Sequence, residues 1–78
     1  METNYRNVHI HPTALIYPNV VLHENVFIGP YCIIGEPTGD YYNDPENHEF
    51  KKTEIGANSV IRSHTVIYED VKIGGNYE

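Results

Sequence analysis

The chain has 78 residues, with five Lys and Arg against eleven Asp and Glu and a single cysteine. That length supports one domain, spanning residues 1–78. A net charge of −6 with no basic stripe argues against nucleic acid as a partner. No apolar run approaches the ~18 residues of a membrane span, and METNYRN lacks the apolar stretch of a secretory leader, so the expected place is the cytoplasm.

From Ile10 the chain reads in sixes: IHPTAL, IYPNVV, LHENVF, IGPYCI, IG. After a break the sixes resume at residue 55 as IGANSV, IRSHTV, IYEDVK, IGGNYE. The lead positions are Ile10, Ile16, Leu22, Ile28, Ile34, Ile55, Ile61, Ile67 and Ile73, and eight of the nine isoleucines share this one phase. A helix repeats near 3.6 residues and a strand at 2, so a period of six is neither alone. Two residues before each lead sits a second, mostly small residue: Val8, Ala14, Val20, Val26, Cys32, Thr53, Ser59, Thr65 and Val71. Strand alternation puts this residue and the lead on one side, with the residue between them on the other. The next three positions (HPT, YPN, HEN, GPY, GAN, RSH, YED, GGN) are turn compositions, in which Pro presets φ and Gly and Asn tolerate positive φ. Each six is therefore one short strand and one turn. If three sixes close a loop, residue n lies under residue n+18, and the leads stack into an interior column of a parallel β-solenoid. Cys32 falls on an inward position and reads as core filler.

IHPTA, ENVFIGPYCIIG and TEIGANSVIRSHTVI closely resemble the hexapeptide-repeat acyltransferases, over about residues 8–36 and 53–78. The resemblance implies an all-β chain: a left-handed parallel β-helix of about three coils, essentially without α-helix. It also implies trimers with roughly parallel axes. Most sequences of this kind transfer an acyl group from acetyl-CoA or an acyl carrier thioester to an amine or hydroxyl of a sugar or nucleotide-sugar. The γ-class carbonic anhydrases share the fold and bind zinc through histidines. Here His9, His11, His23, His48 and His64 never recur at the spacing that would stack two of them on adjacent coils, so no metal ligand is assigned. A non-catalytic trimeric module is the other alternative.

Removing 15 residues between Gly35 and Thr53 brings the two blocks of sixes into one frame. Outward positions are then His9, Phe27 and Val60 on a first face, Leu15, Ile33 and Val66 on a second, and Val21, Glu54 and Lys72 on a third. The second face is wholly apolar and the first nearly so, which marks them as the interaction surface of a homotrimer. Glu54 and Lys72, one coil apart, are placed for a cross-strand ion pair.

The break, EPTGDYYNDPENHEFKK (36–52), projects from the corner between the second and third faces. Loops at such corners shape substrate pockets in the resembling family. Tyr41 and Tyr42, side by side in an otherwise polar segment, are the substrate-binding candidates, able to stack on a nucleotide base or to pack over a neighbouring subunit. In the family a histidine deprotonates the acceptor, a task suited to a side chain titrating near neutrality. That histidine usually follows a stretch like IGGNYE. These residues are therefore expected to be the N-terminal portion of a longer enzyme, inactive alone. His64, in RSHT beside Arg62, is the in-chain candidate base.

Overall fold

The computed structural model describes residues 6–78. Among these residues nine short strands wind three times around a triangular core. The first coil carries β1 (His9–Ile10), β2 (Leu15–Ile16) and β3 (Val20–Leu22); the second β4 (Phe27–Ile28), β5 (Ile33–Glu36) and β6 (Thr53–Ile55); the third β7 (Val60–Ile61), β8 (Val66–Tyr68) and β9 (Lys72–Ile73). They form three three-stranded parallel sheets, β1-β4-β7, β2-β5-β8 and β3-β6-β9. This is the left-handed parallel β-helix that the family resemblance implies.

The register is the one obtained by deleting 15 residues. His9, Phe27 and Val60 lie in line, as do Leu15, Ile33 and Val66, and Val21, Glu54 and Lys72. Ile10, Ile28 and Ile61 share one column. The core is Val20, Leu22, Val26, Ile28, Cys32, Ile34, Ile55, Ile61 and Ile67, flanked by Val8, Ala14, Ile16, Val71 and Ile73. Amides of each coil donate to carbonyls of the next, as in His11 to Ile28 (2.9 Å), Gly29 to Ile61 (2.8 Å) and Gly56 to Ile73 (2.8 Å). The two buried hydroxyls of the small inward column also find the next coil: Thr53 Oγ1 donates to the Tyr68 carbonyl and Ser59 Oγ to that of Gly74.

The corners repeat as regularly as the strands. Three residues after a lead the backbone is left-handed, at Asn19, Asn25, Tyr31, Asn58, His64, Asp70 and Asn76, with φ between 59° and 65°. Asparagine tolerates that region because its short polar side chain bonds locally. At one corner it also builds a ladder. Asn7 Nδ2 donates to Asn25 Oδ1 (3.2 Å), and Asn25 Nδ2 to Asn58 Oδ1 (2.9 Å).

The chain is essentially without α-helix, as expected: the insertion holds a single helical turn, α1 (Asp40–Asn43), followed by a 3₁₀ turn at Pro45–Asn47. Pro45 presets φ at the start of the second turn, and Asn47 closes it through its amide and its side chain onto Asp44. One expectation needs correction. Glu54 does stack under Lys72, but among the described residues its ion partners are His23 and Lys52. The His23 ring reaches an oxygen of Glu54 from the corner below at 2.6 Å, and Lys72 acts on the carboxylate only through space.

Candidate functional site

The insertion leaves the helix at Gly35, whose φ is +85° and where a Cβ would lie 2.8 Å from Val20 Cγ2. Only glycine fits both constraints. Beyond it the segment folds on an aromatic cluster of its own. Tyr41 meets Tyr17 edge-on (centroids 6.4 Å, 80°), Tyr42 (4.9 Å, 86°) and His48 (5.6 Å, 89°), and leans on Phe50 (5.8 Å). Phe50 stacks on Tyr17 (5.8 Å, 29°), and its carbonyl accepts from Asn19 Nδ2 at 3.0 Å. Tyr17 and Asn19, from the corner of the first coil, are thus the shelf on which the insertion rests.

The structure separates the roles of the two candidate tyrosines. Tyr41 is half-buried and is the hub of the cluster, while Tyr42 is 62 % exposed. The Tyr42 hydroxyl donates to the Glu36 carboxylate, which holds the proton and pushes the phenol pKa up to about 12, with burial and the Glu36 charge adding to the effect. The Tyr17 hydroxyl is raised as well, by burial first and then by Glu36.

Beneath the insertion lies Glu69, a turn residue of the third coil that is 4 % exposed. Burial alone would raise its pKa. The Thr38 and Lys51 amides, the Thr38 hydroxyl and His48 outweigh burial and bring it down to about 2. Distances are 2.9 Å from each amide, 2.8 Å from Thr38 Oγ1 and 2.9 Å from His48 Nε2. An ionised carboxylate only accepts, so His48 carries its proton on Nε2. Beside this cage is a hollow of about 340 Å³ lined by Thr38, Asp40, Asp44, Glu49, Lys51 and Glu69 among others. Its rim is acidic.

His64 is elsewhere, at the corner between the first and second faces. Its φ is +61° and its ring stacks on Tyr31 (5.2 Å, 26°). A shallow groove of about 310 Å³ runs beside it, floored by Gly29 and walled by Phe27, Val60 and Arg62. Within one chain the second face stands between His64 and the tyrosine pair. His23 and Glu54 form a hydrogen-bonded pair at the third face that the sequence reading did not single out. This pair, the Lys52 and Lys72 charges included, depresses the Glu54 pKa. Once the 15 residues are removed, Glu54 falls one coil above Val21, two residues from His23, so the register itself carried that signal. Nothing in the hexads pointed to Glu69, because its partners all come from the non-repeating segment. Among the described residues no group of three or more His, Cys, Asp or Glu is placed to hold a metal ion, and no helix is long and apolar enough to cross a membrane.

Three flat parallel sheets, six-residue strand-turn units and a loop thrown from one corner define a hexapeptide-repeat β-helix. The family model described as bacterial transferase hexapeptide (six repeats) matches residues 6–36. Similar curated proteins include three acyl-[acyl-carrier-protein]–UDP-N-acetylglucosamine O-acyltransferases. That of Bartonella quintana (strain Toulouse) is 47 % identical over 64 residues, covering 78 % of this chain and 23 % of the relative. That of Rickettsia canadensis (strain McKiel) is 47 % identical over 62 residues, covering 70 % and 22 %. That of Psychrobacter sp. (strain PRwf-1) is 33 % identical over 69 residues, covering 88 % and 21 %. No solved structure gives a significant match. The chain resembles the hexapeptide-repeat acyltransferases in its repeats and in its similarity to these relatives. It spans less than a quarter of the length of these three relatives.

Proposed function

We propose that the protein transfers an acyl group from a thioester to a hydroxyl of a nucleotide-linked amino sugar. The observation that carries this is the shared name of relatives in three genera, which match 70–88 % of this chain. Their names favour an acyl carrier protein thioester as donor over acetyl-CoA. In this reaction a base takes the acceptor hydroxyl's proton as the oxygen attacks the thioester carbonyl. The C–O bond forms, the C–S bond breaks, and the proton passes to the departing thiol. His64 is the in-chain candidate for that base. It is exposed, its ring stacks on Tyr31, and among the described residues no carboxylate orients it.

Tyr42 is the acceptor-side residue. Its open ring can stack on a nucleobase, and Tyr41 supports it edge-on from beneath. The acidic hollow next to it repels a diphosphate, so the base lies over Tyr42 and the phosphates run away from Asp40 and Asp44. Three copies pack through the first and second faces, which leave Leu15, Phe27 and Val66 in water on a lone chain. The corner bearing His64 then lies at the junction of three subunits.

The test is titration of the labelled chain with UDP-N-acetylglucosamine, followed by NMR. Shifts are expected at residues 36–52, and Tyr42→Ala is expected to weaken binding about tenfold, the usual worth of one base stack. Tyr42→Phe keeps the ring and most of the affinity. Shifts confined to the third face, with residues 36–52 unmoved, would overturn the reading.

A further inference from the structure

Glu69 has no part in the chemistry described above, yet it is among the most protected polar side chains in the molecule. The donors around it come from three places in the insertion: Thr38 near its start, His48 past its middle, and Lys51 at its return. Glu69 itself belongs to the third coil, fixed there by its amide donating to the Glu36 carbonyl at 2.9 Å. One side chain of the rigid prism therefore ties both ends and the middle of the projecting segment. Such a group holds a loop in one geometry because every alternative leaves a buried anion and two backbone N–H groups without partners.

We propose that Glu69 is the positioning residue of the acceptor site: by caging Thr38, His48 and Lys51 it holds the insertion in the one arrangement that presents Tyr42. This rests on the reading of residues 36–52 as the acceptor-binding loop. The link from cage to ligand is short. His48 packs against both Tyr41 (5.6 Å) and Phe50 (4.8 Å), and Tyr41 carries the Tyr42 ring. Releasing His48 removes one wall of the hub. The other ties, the Tyr17 ring against Tyr41 and Phe50, Asn19 to the Phe50 carbonyl and Tyr42 to Glu36, involve neither Thr38 nor Lys51.

Glu69→Gln is the decisive substitution. It keeps the shape of the side chain but replaces one accepting oxygen with an NH₂ donor. That group must face one of the two sets of N–H groups, and a donor against a donor cannot bond. Hydrogen exchange and ligand binding are measured on the same variant. The Thr38 and Lys51 amides are expected to exchange about tenfold to a hundredfold faster, with the Ile28 and Ile61 amides of the core unchanged. The Kd for UDP-N-acetylglucosamine is expected to rise severalfold, as the inverse of the fraction of molecules whose loop is still in place. A residue that merely supported the fold would speed exchange in the core as well. Should Glu69→Gln not fold, His48→Phe carries the test. It keeps a ring against Tyr41 and Phe50 and deletes one donor, so exchange at Thr38 and Lys51 should rise by a smaller but measurable factor. Unchanged exchange at Thr38 and Lys51 in Glu69→Gln overturns the proposal. Faster loop exchange with an unchanged Kd also overturns it, because the loop then does not present the acceptor. Faster exchange in a chain whose wild type binds no nucleotide-sugar leaves the cage standing and removes the functional reading beneath it.

Discussion

Ile28 and Ile10 occupy the same column and the same phase, one coil apart, and differ in what surrounds them. Ile28 is 0 % exposed between Ile10 and Ile61, whereas Ile10 is 37 % exposed. Truncation to alanine removes three carbons at either site. At about 0.8 kcal/mol per buried methylene the transfer loss is about 2.4 kcal/mol for Ile28. The closed cavity left between its neighbours adds about 1–2 kcal/mol. At Ile10 roughly two thirds of the transfer term applies and the space opens to water, so the loss is about 1.5 kcal/mol. With a urea slope near 1 kcal/mol/M for a small domain, the midpoint should fall by about 4 M for Ile28→Ala and about 1.5 M for Ile10→Ala. Chain concentration is held fixed throughout, because association would add to apparent stability. If Ile28→Ala leaves no folded baseline, the Ile→Val pair preserves the ranking at about 1 kcal/mol against a few tenths. Equal losses at the two sites would refute the stacked column, since nothing but the stacking distinguishes them.

Asn58→Ala should cost more than Asn58→Gly. Both lose the acceptor for Asn25 Nδ2, but alanine must also adopt φ +63°, a conformation costing about 1–2 kcal/mol that glycine takes freely; denaturant melts of the two variants check the order. The Glu69 cage sets an acid limit. The carboxyl pKa is lowered by folding, so its stabilisation is complete above the unfolded value of 4.5 and is lost as pH falls through about 2. Near-ultraviolet dichroism of the Tyr17, Tyr41 and Tyr42 cluster should therefore fade across that window and hold steady above it. Ile33→Glu places a charge in the middle of the apolar second face, and light scattering should find a trimeric wild type and a monomeric variant.

The prism was legible because every feature that repeats is printed many times over. The nine leads, the small inward column and the turn triplets each state the same period, so no single departure could hide it. Even the register across the insertion could be read, because Ile55 resumes the phase that Ile34 leaves. The left-handed corners were legible as a tolerance of Asn and Gly, and the structure adds that Tyr31, His64 and Asp70 adopt them too. What repeats nowhere was not legible. The turn of helix at Asp40–Asn43, the aromatic hub around Tyr41 and the cage around Glu69 depend on one loop meeting one corner, and periodicity is blind to a contact made once. Tyr41 and Tyr42 looked equivalent side by side, and only the packing of Phe50 and His48 on one of them tells the buried hub from the exposed ring. The Glu54–Lys72 pair shows the opposite limit. Register placed the two residues correctly, but which partner a carboxylate takes is decided by side-chain reach, and His23 reaches it.

The most direct test of the functional account is to incubate a protein carrying these residues with UDP-N-acetylglucosamine and an acyl-loaded carrier protein, and to weigh the nucleotide-sugar. The expected result is a nucleotide-sugar heavier by one acyl group, formed mole for mole with free thiol. Thiol release that leaves the mass of the nucleotide-sugar unchanged, or no release with either the carrier thioester or acetyl-CoA, would contradict it.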